Sequence, residues 1–207
     1  MVKSIEAYQP NLDKIGEHCA NPEPLIVSSE EYEEILAEHG LHRGELSDVG
    51  ILKAMELGLI KIWSFSNSFD LLKQMQSNNI DFRLSNGFWT FRRHRNSVLS
   101  LDMSMEEMIK QKILEYDYVP DGRSFTFYQG KLVLAYVDEV ISLSNVVKGK
   151  FDGKSKPSRF GLSSHQTAAT IHPGFNGSIC MEISNTNEFD VSINVGSAIA
   201  SMEFVFL

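Results

Sequence analysis

Apolar and polar positions along the chain change period near residue 80, and the predicted elements divide there. Residues 1–27 read as irregular, because Pro10, Pro22 and Pro24 interrupt any long element. A short helix is predicted from Ser28: Glu31 completes a capping-box spacing, Tyr32, Ile35 and Leu36 lie on one side, and Gly40 stops it. A second helix runs from near Ser47 to Gly58. Leu46 and Ile51 sit where a hydrophobic staple would close, and Ile51, Leu52 and Met55 form the stripe to be buried, with Gly50 weakening the first turn. Ser68 is placed to cap a third short helix carrying Leu71, Leu72 and Met75.

From Ile80 the period becomes two. Asp81-Phe82-Arg83-Leu84 alternates, Ser85-Asn86-Gly87 reads as a turn, and Phe88-Trp89-Thr90-Phe91 reads as a returning strand. The basic patch that follows, Arg92, Arg93, His94 and Arg95, is either a solvated hairpin edge or a ligand contact. Ser104 and Glu107 mark another capping box, with Met108, Ile109 and Ile113 suited to burial. After Pro120 short strands and turns dominate: Phe125-Thr126-Phe127-Tyr128, a turn at Gln129-Gly130, then residues 131–136 and 140–143, and finally 189–193 and 198–206 around Val195-Gly196. The pattern predicts a mainly β protein, one twisted antiparallel barrel over residues 46–207 with short peripheral helices, preceded by an N-terminal extension over residues 1–45 that carries a helix.

The composition fits that size of core: 207 residues, 43% hydrophobic, net charge −8. No apolar run reaches the roughly 20 residues a bilayer span requires, and the start, MVKSIEAYQPNLDK, has no apolar signal region, so no membrane partner is expected and a cytoplasmic setting is the default. The acidic balance argues against nucleic-acid coating, which draws on many Lys and Arg facing phosphates. It leaves room for a small anion held by a local cationic cluster. Cys19 and Cys180 are too few and too far apart for a disulfide scaffold or a cysteine-rich metal site.

Candidate chemistry concentrates in residues 153–185. The segment GKSKPSR is small, cationic and turn-forming; a link leads to residues 167–171, then to the turn His172-Pro173-Gly174. Beyond it Ile179, Met181 and Ile183 point one way along a strand, and Ser178, Cys180 and Glu182 the other. On the residues alone, Glu182 is either a carboxylate on the wet face of a sheet or a proton-transfer group. Arg159 is either a structural arginine or a ligand contact, and His165 reads more readily as a hydrogen-bonded structural histidine than as a catalyst.

Taken in order, LSDVGILKAMELGLI, IDFRLSNGFWTFR, GKSKPSRFGL and TAATIHPGFNGSICMEISN resemble the opening helix, first hairpin and two active-site segments of the dCTP deaminase family, within the dUTPase-like superfamily. The resemblance runs from about Leu46 to Phe206, and SSHQTA is similar to the bifunctional deaminase and diphosphatase branch. It implies a distorted antiparallel β-barrel of the dUTPase-like type, assembled as a homotrimer with nucleotide sites at subunit interfaces. The implied reaction is hydrolytic deamination of dCTP to dUTP and ammonia, which some members continue to dUMP and pyrophosphate. Mg²⁺ would be carried on the triphosphate, with no zinc, and dUTP or dTTP are further ligands of this family type.

By the same resemblance Glu182 falls on the catalytic glutamate, Ser155 and Arg159 on the loop serine and arginine, and Ala168 on a position whose backbone holds the reactive water. Lys154, Ser155, Lys156, Arg159, Thr167, Thr170 and His172 would bind nucleotide. Asp81, Arg83, His165 and Gln166 would serve structure or subunit contact. A zinc deaminase would instead need His-x-Glu with Pro-Cys-x-x-Cys, which Cys19 and Cys180 cannot form.

Four departures matter. His172 stands where the family usually has an aspartate that organises the sugar end, and an imidazole cannot replace it as an anionic acceptor. Thr170 stands where the monofunctional bacterial type has arginine, and Lys156-Pro157-Ser158 replaces the usual wording after Ser155. The chain also stops at Leu207, where relatives are expected to continue into a tail that folds over the nucleotide. His172, the end of the chain and the N-terminal extension support a second reading: a non-catalytic, nucleotide-sensing or protein-interaction trimer built on the same fold.

Overall fold

The computed structural model describes residues 9–64, 66, 69–92 and 98–207. In chain order the elements are α1 (Leu12–Cys19), α2 (Ser29–His39), β1 (Gly44–Glu45), α3 (Asp48–Glu56), β2 (Ile60–Ser64), α4 (Leu71–Gln74), β3 (Asn79–Phe91), α5 (Met105–Lys110) and β4 (Leu114–Tyr118). They continue with β5 (Ser124–Phe127), β6 (Leu132–Leu143), β7 (Val147–Gly153), α6 (Ser155–Arg159), β8 (Leu162–Ser163), β9 (Thr170–Ile171), β10 (Asn176–Asn185), β11 (Val191–Asn194) and β12 (Ala198–Phe206).

The helices follow local chemistry closely. In α2 the Ser28 hydroxyl accepts from the Glu31 N–H while the Glu31 carboxylate accepts from the Ser28 N–H, and Gly40 closes the helix in the left-handed region. Its buried face, Tyr32 and Leu36, packs inward, with Tyr32 edge-on to Phe206 at 5.8 Å. The stretch expected to be irregular contains α1, capped by Asn11, whose Oδ1 accepts from the Lys14 N–H at 3.0 Å. Helix α3 starts from the Ser47 cap and buries Ile51, Leu52, Ala54 and Met55. Helix α4 is capped by Asp70 and turns Leu72 outward; the Ser68 cap lies outside the described residues, as do Arg93, His94 and Arg95 of the basic patch.

The Ser104–Glu107 capping box forms, but α5 buries none of its residues, and Ile109 is 40% exposed. Six residues make under two turns, and α5 lies on the outside with Ile113 just past it turning in.

Ten strands form one curled antiparallel sheet, in the order β8-β10-β6-β3-β12-β7-β9, with β1 on β12, β2 on β6 and β4 on β3. This is the barrel-like, mainly β architecture expected. The predicted hairpin at Ser85-Asn86-Gly87 is instead a single bent strand. Residues 79–83 of β3 pair with β12, and after a register shift between Leu84 and Phe88 the strand runs along β6. The bulge absorbs the polar residues that read as a turn and carries the sheet around the core. Strand β11 pairs with β5 in a separate two-stranded sheet. There Phe88 stacks on Phe125 at 3.9 Å and meets Phe127 edge-on, while Phe82 and Phe151 meet deeper in. Each fully buried phenylalanine contributes about 1.5–3 kcal/mol relative to exposure.

Residues 9–40 share this core. Ile15, Val27, Tyr32 and Leu36 join the same apolar cluster as the strands. Side chains of the barrel latch the segment between α1 and α2: the Lys61 ammonium donates to the carbonyls of Asn21 and Glu23 at 2.7 and 2.6 Å, and the Asn145 amide brackets the Val27 backbone at 2.8 and 2.9 Å. Among the described residues, no helix is long and apolar enough to cross a membrane.

Candidate active site

Strand β10 buries Ile179, Met181 and Ile183 and leaves Ser178, Cys180 and Glu182 half-buried on its outer face, as the alternation predicts. Glu182 lies opposite Leu134 of β6, which lies opposite Trp89 of β3 and then Tyr116 of β4, so a carboxylate heads a row of apolar and aromatic side chains. Cys180 lies opposite Tyr136. Burial pushes the Cys180 thiol up from its ordinary value; the hydrogen bond with Tyr136 pulls it down and the nearby Glu182 charge adds to the rise. Among the described residues, the Glu182 carboxylate has no hydrogen-bond partner.

Residues 164–169 are held across this strand. The Gln166 amide donates to the Glu182 carbonyl at 3.2 Å and to the Ser184 hydroxyl at 3.1 Å. Thr167 and Ala168 follow, both exposed, and the Ala169 carbonyl then accepts from the Phe151 N–H at 2.7 Å. Thr170 is exposed in β9, opposite Lys150. His172 is exposed at the head of a tight turn, where its carbonyl accepts from the Phe175 N–H and Gly174 takes the left-handed conformation that spares a Cβ clash. His165 sits with Nε2 3.7 Å from the Asp152 carboxylate, while its Nδ1 is buried without a partner among the described residues.

The cationic segment folds as α6. Ser155 and Arg159, four residues apart, lie on one side of this single turn, and both are exposed, as is Lys156. Pro157 falls at the third helical position, where its missing N–H costs nothing. One flank of α6 walls a cleft of about 540 Å³ with Lys156, Phe160, Val191 and Ile193 among its lining residues.

Lys154, expected at the nucleotide, places its ammonium 2.6 Å from both carboxylate oxygens of Asp81. Arg83 pairs with the fully buried Glu139 through Nε at 2.7 Å and with Asp138 at 3.2 Å. Gln74 ties the two pairs together, donating to the Asp81 carbonyl at 2.8 Å and to Glu139 at 2.9 Å. Sequence reasoning missed Asp138, Glu139 and Gln74. Asp138-Glu139 sits inside a strand whose alternation gave no sign that an arginine 56 residues away would meet it.

Two contacts that the sequence did not foretell are formed within one chain: Asp81 with Lys154, and Gln166 with the backbone at Glu182. Among the described residues, no hydrogen bond or ion pair joins Ser155 or Arg159 to Glu182.

In class, this is an antiparallel barrel-like fold whose candidate chemistry is divided between a strand carboxylate and a short cationic helix. The sequence profile of the dCTP deaminase-like family matches residues 45–207. The chain is 34% identical over 159 residues to the dCTP deaminase of Thermomicrobium roseum, covering 77% of this chain and 78% of that protein. It is 30% identical over 165 residues to the dCTP deaminase of Actinobacillus pleuropneumoniae, covering 78% and 83%. It is 32% identical over 158 residues to a dUMP-forming dCTP deaminase of Streptomyces coelicolor, covering 76% and 77%. In fold it is similar to the crystal structure of 2′-deoxycytidine 5′-triphosphate deaminase from Agrobacterium tumefaciens, with a TM-score of 0.60 and 19% identity over 80% of this chain. The match spans 49% of that chain, about half its length. The chain belongs to the dCTP deaminase family.

Proposed function

We propose that the protein hydrolyses dCTP at C4 of the cytosine, giving dUTP and ammonia. The observation that carries this reading is Glu182: a half-buried carboxylate on the outer face of β10, bound by no donor among the described residues and flanked by a loop that Gln166 fastens to the same strand. Such a group takes a proton from water as the oxygen bonds to C4. It passes that proton to the ring nitrogen, takes the second from the new C4 hydroxyl and gives it to the exocyclic amine, and the C4–N bond breaks to release ammonia as the C4 carbonyl forms. In this reading the exposed backbone at Ala168 holds the attacking water. Ser155 and Arg159, with Lys156, supply hydrogen bonds and positive charge for phosphates, and Thr167, Thr170 and His172 line the approach along residues 167–172. Mg²⁺ belongs to this scheme as the triphosphate's own counterion. Among the described residues no group of three or more His, Cys, Asp or Glu gathers to hold a metal.

The division of the site gives the reading a quaternary consequence. Ser155 and Arg159 of one copy complete the site around Glu182 of another, in a homotrimer with sites between subunits. Mixing tests this. Ser155→Ala and Glu182→Gln would each be inactive alone; co-refolded in equal amounts they would recover about a quarter of wild-type activity, the fraction of interfaces that receive two intact halves by random assortment. No recovery, with trimers confirmed by light scattering, would place both residues in one chain's site.

A continuation to dUMP and pyrophosphate is the second reading, favoured by the Gln166 contacts to β10 within SSHQTA and by the 32% identity to a relative named as dUMP-forming.

A further inference from the structure

We infer that Lys154 is a positioning residue whose ion pair with Asp81 aims α6, and that it does not contact the phosphates. This rests on the deaminase reading of Ser155 and Arg159. A five-residue helix has no stability of its own in water, and α6 has no side-chain cap at its start. Its orientation must be imposed from outside. The Lys154 backbone does part of this: its N–H donates to the Ile199 carbonyl at 3.1 Å, and its carbonyl accepts both the Ser158 N–H at 3.1 Å and the Ser158 hydroxyl at 3.0 Å. Its side chain then runs beneath the turn to Asp81, contacting both oxygens at 2.6 Å.

Asp81 is itself held from several sides. Its residue pairs with Ser201 of β12, and its carbonyl takes the Gln74 amide, which also binds the fully buried Glu139, itself held by Arg83. The Asp81 side chain is only 12% exposed, and apart from Lys154 its carboxylate has, among the described residues, one further side-chain donor, Gln76 at 3.3 Å. Moving the ammonium to a phosphate would strand that carboxylate, and a buried charge that loses its partner is strongly destabilising. The ammonium therefore stays. Fixed at Lys154, the helix presents Ser155 and Arg159 on one side, so a small rotation at its start displaces both.

The test uses full-length Lys154→Met, Asp81→Asn, their double variant and Lys154→Arg, with kcat and KM for dCTP and for dCDP. Positioning predicts that each of Lys154→Met and Asp81→Asn loses about 10–100-fold in kcat, the range expected for misplaced reacting groups. KM should stay near wild type, the double variant should be no worse than the poorer single, and Lys154→Arg, which can still reach Asp81, should recover most of the rate. The preference for dCTP over dCDP should not change. A raised KM for dCTP alone in Lys154→Met, with Asp81→Asn active as wild type, would make Lys154 a phosphate ligand and overturn the inference. Amide exchange provides a readout independent of turnover. The amides of Ser158, Phe160 and Gly161 should exchange faster in Lys154→Met and Asp81→Asn, and at the wild-type rate in Lys154→Arg, while those of β6 and β12 hold. If wild type fails to turn over dCTP but exchange follows this pattern, the deaminase reading falls and the positioning role stands. Unchanged exchange in both single variants refutes the positioning role.

Discussion

Arg83→Met should be among the most damaging single substitutions in the barrel. Arg83 is on β3, just before its bend, and its guanidinium joins the only pair of adjacent acidic residues in β6. Glu139 has no exposed surface, so its carboxylate depends wholly on protein donors: Arg83 Nε at 2.7 Å, the Arg83 N–H at 2.8 Å and the Gln74 amide at 2.9 Å. Methionine keeps the last two and removes the cation. Breaking a buried ion pair from one side costs about 3–5 kcal/mol; with two hydrogen bonds retained the lower end, about 3 kcal/mol, is expected. For a chain of this size that is a fall of about 6–12 °C in Tm. The assay is urea unfolding of wild type, Arg83→Met and Arg83→Met/Glu139→Gln at one protomer concentration, because any assembly links stability to concentration. The double variant, which removes both charges, should regain at least about 1 kcal/mol. Arg83→Met within 1 kcal/mol of wild type would mean that this charge network does not hold β3 to β6.

Two further predictions concern the site's edges. Gly161 leaves α6 at φ +81°, and a Cβ there would come within 2.9 Å of the Asn187 backbone nitrogen, so Gly161→Ala should cost about 1–3 kcal/mol in urea unfolding and lower turnover with it; an unperturbed variant would show that the exit from α6 is not confined. Cys180, its thiol raised above the ordinary 9.0 by burial first and by Glu182 as well, should alkylate slowly with iodoacetamide at pH 8. Because the neighbouring negative charge raises that thiol, Glu182→Gln should lower it and speed alkylation at the same pH; a slower or unchanged rate would separate the two side chains electrostatically.

What could be read from the sequence was mostly what is local. Ser28 with Glu31 and Ser104 with Glu107 announced their helices because a capping box is completed within four residues. The alternation through Ile179, Met181 and Ile183 put Glu182 on the outer face because a strand's period leaves no choice once one face is buried. Failures came where distant partners decide. Ser85-Asn86-Gly87 has the composition of a hairpin turn, yet β12 and β6 together keep the chain extended there. Helix α1 buries only Ile15, too little for an apolar stripe; its legible signals were the Asn11 cap and Asp13 in the first turn. Likewise, local pattern carried no sign that Lys154 would turn inward to Asp81, since the two are 73 residues apart.

The measurement that bears most directly on the proposed chemistry is a time course of purified wild type and Glu182→Gln with dCTP and Mg²⁺, resolving dCTP, dUTP, dUMP and pyrophosphate by chromatography with mass detection. Wild type should release ammonia with dUTP, or with dUMP and pyrophosphate where the second step follows, and Glu182→Gln should lose the reaction by about 10²-fold or more. Tight dCTP binding with no product above the protein-free control, or equal turnover by the two proteins, would contradict hydrolytic deamination by Glu182.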